Sequence, residues 1–184
     1  MKPKLVLLDR DGVLNRDRPD SVKSPGELVM LEGAAAAVAR LNHFGCKVAL
    51  VSNQSVVGRG IIDADMLALI HNHLADRLAR EGARLDAIFV CTDPPGPPSQ
   101  RRKPAPGMVI EAMRQFGIAA GATAMIGDDL RDLQAAAAAG CARILVRSGK
   151  GAATQAAGLP GEVLPVAVYE NLAAAVEALL AEAG

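Results

Sequence analysis

The chain has 184 residues, 51% hydrophobic and 22% charged, which excludes a disordered polymer and fits one globular domain over residues 1–184. Twenty basic side chains balance twenty acidic ones and aromatics are only 2%, so neither a nucleic-acid-binding surface nor a base-stacking platform is expected. No apolar run approaches the ~18 residues of a membrane span, the first residues show no signal-peptide pattern, and three cysteines are too few for a disulfide framework. The expectation is a monomeric cytoplasmic protein with no membrane or nucleic-acid partner.

Residues 5–8 are a continuous apolar run ending at Asp9, the pattern of a buried strand. Residues 33–44 place apolar side chains at helical spacing and stop at Gly45. A second buried strand is expected over 48–51. Asp63 is placed to cap a long helix reaching about residue 81, with Gly82 just beyond. A third strand follows over 87–90, then a proline-rich loop over 94–106. A helix over 107–116 ends at Gly117, and a fourth strand is read over 123–126. An alanine-rich helix over 130–139 stops at Gly140, its small side chains suited to close packing on a sheet. A fifth strand over 142–146, a short sixth over 163–168 and a helix over 171–183 close the pattern. Short, nearly all-apolar strands between helices indicate a mainly parallel sheet covered on both faces. The fold class is therefore α/β, a Rossmann-like three-layer sandwich, in which ligands sit at the carboxyl ends of the strands.

The residues at those ends are polar. Asp9-Arg10-Asp11-Gly12-Val13 follows the first strand and Ser52-Asn53-Gln54-Ser55 the second. The proline-rich loop carries Arg101-Arg102-Lys103-Pro104, and Gly127-Asp128-Asp129-Leu130-Arg131-Asp132 follows the fourth strand. Oxygen ligands suit a hard cation such as Mg²⁺, and a lysine with backbone N–H groups suits phosphate. Each segment alone has a plainer reading: aspartates in turns, Ser52 and Asn53 as a cap, Lys103 as a solvated cation, Asp129 and Asp132 as exposed helix charges. Their convergence on one sheet edge argues for a site. His71 and His73, two apart on a helix, face different directions and read as solvated or partly packed. His43 ends the first helix, where its ring meets the negative end of the helix dipole. Cys46 and Cys141 each follow a glycine and read as small buried residues.

Asp9-x-Asp11-x-Val13, Ser52, Lys103 and Asp128-x-x-x-Asp132 resemble, in order, the four motifs of the haloacid dehalogenase-like (HAD) phosphohydrolase superfamily. The resemblance implies that Asp9 attacks a phosphomonoester and carries the phosphoryl group. Asp11 would protonate the leaving oxygen and then activate water. Ser52 would hydrogen-bond a phosphoryl oxygen, and Lys103 would balance charge on Asp9 and phosphate. Mg²⁺ would be held by Asp9, Asp128 and the Asp11 backbone carbonyl, with Asp132 orienting Asp128 or metal-bound water. The stretches between Asp11 and Ser52, and between Ser55 and Lys103, are too short for a large cap domain. A receiver-like phospho-acceptor module is the rival class, but it has no use for an acid/base such as Asp11 beside the acceptor.

Nearly end to end, the chain is similar to the subfamily of heptose-bisphosphate and histidinol phosphatases. The likeness rests on Leu8-Asp9-Arg10-Asp11-Gly12, Ser52-Asn53-Gln54-Ser55, Arg59-Gly60, Arg102-Lys103-Pro104-x-Pro106-Gly107-Met108, Leu133-Gln134-Ala135-Ala136 and Leu145-Val146-Arg147-Ser148-Gly149-Lys150. It implies removal of the 7-phosphate of D-glycero-D-manno-heptose 1,7-bisphosphate for lipopolysaccharide precursors, with histidinol phosphate or another small sugar phosphate as the alternative. Asp17, Asp20, Asn53, Gln54, Ser55, Arg102 and Asp129 are the implied substrate contacts, with Arg59 and Lys150 as looser candidates. Many members of the subfamily hold a structural zinc with ligands Cys-x-His and Cys-x-Cys before the motif lysine. Here those positions read Cys91-Thr92-Asp93 and Ser99-Gln100-Arg101, so no zinc is expected, and prolines 94, 95, 97 and 98 would stiffen the loop instead.

Overall fold

The computed structural model describes residues 3–97 and 99–181. Its strands are β1 (Leu5–Leu8), β2 (Lys47–Asn53), β3 (Ala87–Cys91), β4 (Thr123–Gly127), β5 (Ala142–Val146) and β6 (Ala167–Tyr169). The helices are α1 (Ala34–His43), α2 (Ser55–Gly58), α3 (Ala64–Ala79), α4 (Gly107–Phe116), α5 (Leu130–Ala138), α6 (Gly151–Ala156) and α7 (Leu172–Ala181).

Parallel strands must be apolar on both faces, and β1 meets that condition: Leu5, Val6, Leu7 and Leu8 are all fully buried. Alternation along the strand sends Val6 and Leu8 into a core with Leu41 of α1, Leu74 of α3 and Val176 of α7. Leu5 and Leu7 face the opposite core, with Met108 and Val109 of α4 and Ala135 and Ala136 of α5. Each such side chain contributes ~1.5–3 kcal/mol on burial. The result is a three-layer α/β sandwich with the sheet between two helical layers. The helix ends follow local chemistry. Asp63 accepts from the Met66 N–H at 2.7 Å to start α3, and Gly117 adopts φ 64° to end α4.

All the strands are parallel, in the order β3-β2-β1-β4-β5-β6. The chain builds outward from β1 on one side, then returns to β4 and builds outward on the other. The crevice between the carboxyl ends of β1 and β4 is the place where such a sheet leaves room for a ligand.

Several elements differ from the sequence expectation. Strand β2 runs on through Ser52 and Asn53, because Asn53 still pairs with Cys91 of β3. Gly127 likewise belongs to β4 and pairs with Leu145. The sixth strand starts at Ala167 rather than 163: Val163 sits in a 3₁₀ turn, and Pro165 has no N–H to give a ladder. Helices α2 and α6 lie where only loop was expected. Of the expected C-terminal helix, residues 182 and 183 lie outside the described residues, as do Pro98 of the stiffened loop and residues 1 and 2. Among the described residues, no helix is long and apolar enough to cross a membrane.

Candidate active site

The backbone of Asp9 continues the β1 ladder, its N–H donating to Ile126 O at 3.1 Å, so its side chain is set by the sheet itself. Asp9 Oδ1 accepts from the Arg10 N–H at 2.8 Å and from Lys103 Nζ at 3.1 Å. The other oxygen is left for a ligand. A tight turn follows, in which the N–H groups of Val13, Leu14 and Asn15 all donate to Arg10 O.

Asp11 is held by three side chains. Arg10 Nη2 spans both of its oxygens at 3.1 and 3.0 Å, Asn15 Nδ2 donates at 2.8 Å and Gln54 Nε2 at 2.9 Å. Burial alone would raise the Asp11 pKa, but Arg10 and the Asn15 and Gln54 hydrogen bonds outweigh it and hold the carboxyl below its ordinary value. Arg10 is itself fully buried, and its Nη1 lies 3.4 Å from His71 Nε2. Arginine can only donate, so His71 must accept with a neutral ring. Burial, and next the Arg10 charge, push the His71 pKa down to about 4, in keeping with that role. His71 was expected to be solvated or partly packed; it is buried and belongs to the support of Asp11.

Lys103 is buried and its three protons have three acceptors: Val51 O at 2.8 Å, Asp9 Oδ1 at 3.1 Å and Asp132 Oδ1 at 2.6 Å. Burial works to lower its pKa, but the carboxylates of Asp132 and Asp9 prevail and keep it protonated. Asn53 fixes the lysine backbone by reciprocal bonds: its Oδ1 accepts from Lys103 N at 3.0 Å and its Nδ2 donates to Lys103 O at 2.9 Å.

Asp128 follows β4, and its Oδ2 accepts from Lys150 N at 2.8 Å. Gly12 and Gly149 face each other across it with φ 82° and 59°. A Cβ on either would lie 2.0 or 2.1 Å from Asp128 Oδ2, so only glycine fits. Burial, and next the charge of Asp9, raise the Asp128 pKa to about 8. Asp132 is buried rather than an exposed helix charge. Its Oδ2 accepts from Asp129 N at 3.1 Å, and Asp129 Oδ1 accepts from Arg131 N at 3.0 Å, closing a capping box on α5. Burial raises the Asp132 pKa against the pull of Lys103.

Asp9, Asp128 and Asp132 each offer an oxygen, and these atoms lie within 4.8 Å of one another. Both oxygens of Asp132 are engaged by Lys103 and the cap, which leaves Asp9 and Asp128 facing each other. Crowded, partly desolvated carboxylates with unengaged oxygens fit a hard divalent cation.

The crevice holds a cavity of about 260 Å³. Of the expected substrate contacts, Asp17, Asn53, Ser55, Arg102 and Asp129 line it, as does Lys150. Two expectations are corrected. Gln54 is buried, with its amide nitrogen on Asp11 and Ser52 (2.9 and 3.0 Å), so it supports the acid rather than meeting a sugar hydroxyl. Asp20 is not among the residues that line the cavity and is held in ion pairs with Lys23 and Arg18, whose hydrogen bonds lower its pKa to about 2. Arg59 is exposed and outside the cavity lining. Ser52 is buried and accepts from Gln54; its own O–H has no acceptor among the described residues. Asp129 carries Arg131 on both oxygens, at 3.0 and 2.7 Å. Arg18 and Arg131 also line the cavity, unread in the sequence because arginines are common on any surface.

At the positions where the resemblance places zinc ligands, Cys91 supplies one thiol, 3.9 Å from Ser99 Oγ. Asp93, Ser99 and Arg101 supply a carboxylate, a hydroxyl and a guanidinium. That set does not fit a cysteine-rich tetrahedral site.

Asp9 and Asp132 on a buried lysine, with Asp128 beside them at the switch point of a sheet in this order, are the arrangement expected of a HAD-like phosphohydrolase. A HAD-hydrolase-like family model matches residues 100–175. The chain is 44% identical over 180 residues to the D-glycero-beta-D-manno-heptose-1,7-bisphosphate 7-phosphatase of Bordetella bronchiseptica, covering 98% of this chain and 99% of that protein. It is 36% identical over 180 residues to the enzyme of the same name from Pseudomonas aeruginosa, with 98% and 99% covered. The crystal structure of D,D-heptose 1,7-bisphosphate phosphatase from B. bronchiseptica, complexed with magnesium and phosphate, matches with a TM-score of 0.92 over 97% of this chain and 99% of that one. The corresponding structure from Burkholderia thailandensis, 39% identical, gives 0.75 over 96% and 98%. The chain belongs to the family of heptose 1,7-bisphosphate phosphatases.

Proposed function

We propose that this chain removes the 7-phosphate of D-glycero-D-manno-heptose 1,7-bisphosphate through a phosphoryl-aspartate at Asp9, on the way to lipopolysaccharide precursors. The reading rests on the end-to-end likeness to phosphatases of that name, joined to one observation: Asp9 faces a cavity whose rim carries Arg18, Arg102, Arg131 and Lys150. Asp129 and Asp17 neutralise Arg131 and Lys150. Arg18 has Asp20 and Glu27. Arg102 has no carboxylate on its guanidinium among the described residues and bonds only Asp93 O, at 3.0 Å. It is the group best suited to a second phosphate. Histidinol phosphate offers a cation at its far end, which this rim does not favour.

Asp9 and Asp128 would hold Mg²⁺ with the Asp11 carbonyl; when bound, it supplies the positive charge that lets a carboxylate approach a phosphate dianion. Asp9 attacks phosphorus with its unengaged oxygen while Lys103 holds the other and shares the charge. The bond from phosphorus to the sugar oxygen breaks, and Asp11 gives that oxygen a proton, which requires the arriving phosphate dianion to raise its pKa from the lowered value of the empty site. Asp11 then takes a proton from water as water attacks phosphorus, which releases phosphate and restores Asp9. Gln54, Asn15 and Arg10 keep Asp11 aimed through both steps. The chain is read as a cytoplasmic monomer acting on a small phosphorylated sugar.

Asp9→Asn tests the reading. The variant is expected to keep the wild-type circular dichroism and melting temperature and to lose all turnover. ³¹P NMR of the wild-type reaction is expected to show the 1-phosphate retained. Appreciable residual activity would sink the nucleophile, and loss of the 1-phosphate would sink the regiochemistry.

A further inference from the structure

Between the end of β3 and Lys103 the chain makes a loop that has almost nothing of its own to hold it. Pro94, Pro95 and Pro97 lack N–H donors, and no backbone–backbone hydrogen bond links residues 92–99 to one another among the described residues. Side chains cross-link it instead: the Arg101 guanidinium reaches Val90 O at 3.2 Å and pairs with Glu111, and the bonds between the two limbs centre on one hydroxyl. Ser99 Oγ donates to Asp93 Oδ2 at 2.5 Å on the outgoing limb and accepts from Arg101 N at 3.2 Å and Arg102 N at 3.0 Å on the returning limb. The Ser99 and Cys91 contacts hold the Asp93 pKa below its ordinary value, so Asp93 is the anionic acceptor. Asp93 also offers its backbone carbonyl to Arg102 Nη1, so the pair sets both ends of that arginine: its N–H through Ser99 and its guanidinium through Asp93 O. On the far side, Asn53 fixes Lys103 independently. Arg102 therefore sits between two pins, lining both the catalytic cavity and a second cavity beside it that Ser99 also lines.

We propose that Ser99 and Asp93 form a hydrogen-bonded clasp that positions Arg102 against the remote, uncleaved phosphate of a bisphosphate substrate. The clasp occupies the loop positions at which a metal ion would need thiolate or imidazole ligands, and does the cross-linking with one serine and one aspartate. Ser99 and Asp93 are positioning residues: they reach the substrate only through Arg102. The Asn53 pin leaves Lys103 in place when the clasp is cut, so the chemistry at Asp9 should not feel its loss.

The inference rests on the heptose-bisphosphate reading, and its test separates the two. Ser99→Ala, Asp93→Ala and the double variant are compared with wild type on heptose 1,7-bisphosphate and on 4-nitrophenyl phosphate, which has no second phosphate. Each variant is expected to raise KM for the bisphosphate about tenfold with kcat within about twofold, and to leave 4-nitrophenyl phosphate kinetics unchanged. The double variant should be no worse than Ser99→Ala, because Asp93→Ala cuts only a bond that the loss of the Ser99 hydroxyl has already removed. Ser99→Thr, which keeps the hydroxyl, should restore the wild-type KM. Hydrogen exchange of the Arg101 and Arg102 amides should speed up in Ser99→Ala and not in Ser99→Thr. Equal losses on both substrates, additive singles, or an unchanged bisphosphate KM would overturn the clasp. If wild type fails to turn over the bisphosphate at all, the functional reading falls, and amide exchange still decides whether Ser99 pins the loop.

Discussion

At the residue scale, the acid Asp11 is the group most elaborately held. It takes bonds from Arg10, Asn15 and Gln54, and Arg10 in turn rests on His71. A fully buried arginine is costly to desolvate, and this one is offset by a bidentate carboxylate. Arg10→Lys keeps the charge but loses the fork. It is expected to slow hydrolysis of an alkyl phosphate, whose leaving oxygen needs a proton, by about ten- to a hundredfold. With 4-nitrophenyl phosphate, whose leaving group needs no proton, the first turnover should stay within about twofold, while later turnovers slow because water still needs Asp11 as its base. A first turnover slowed as much as the alkyl ester would show that the change reaches beyond Asp11. Asp9, Asp11 and Asp128 stood out in the sequence as polar residues just after apolar strands, whereas Lys103, in the proline-rich loop, stood out only through the resemblance to the HAD motifs. Gln54 and His71 were not. Their partners lie 43 and 61 residues away along the chain, and no local pattern records such a contact.

At the scale of elements, the strands are carried by double-sided burial and the loops by single close approaches. Leu7→Ala in β1 would leave a cavity between the sheet and α4, and is expected to cost about 2–5 kcal/mol in urea unfolding. The loop after β5 depends instead on Gly149, where a side chain would need positive φ and would meet Asp128 and the Gly12 backbone. Gly149→Ala is expected to lose most activity and to weaken Mg²⁺ binding, read by isothermal titration, with only a modest fall in melting temperature. Wild-type Mg²⁺ affinity in that variant would contradict the crowding argument. The apolar runs and their glycine stops made most of these elements readable. The carboxyl ends of β2 and β4 were misjudged by one or two residues, since Ser52, Asn53 and Gly127 join the ladder by pairing rather than by hydrophobicity. Helix α6 was missed because a six-residue Gly-Ala-Ala-Thr-Gln-Ala segment has no apolar period to show.

At the scale of the whole molecule, sheet order brings together residues from the first and fourth strands with a lysine from a loop, and the same burial couples the site to stability. His71 has an ordinary pKa of 6.5 and a folded value of about 4. Between those values the unfolded chain binds a proton that the folded protein refuses, so stability falls as pH drops through that window. Urea unfolding at pH 7.5 and pH 5 should show a loss from this residue of roughly 2 kcal/mol, absent in His71→Gln. An identical pH dependence in the two proteins would place the His71 proton elsewhere. The parallel, doubly covered sheet was legible from alternation alone, whereas the cavity rim was not, because which arginines face inward depends on how loops fold back over the strands.

Substrate choice at this rim gives the most direct test of the second-phosphate site. Phosphate release with Mg²⁺ should be measured side by side from heptose 1,7-bisphosphate and histidinol phosphate, and the two kcat/KM values compared. A preference for the bisphosphate of about a hundredfold or more, ~2.7 kcal/mol in transition-state binding, is the predicted result. Equal rates, or a preference for histidinol phosphate, would contradict the assignment of Arg102 and its neighbours to a second phosphate.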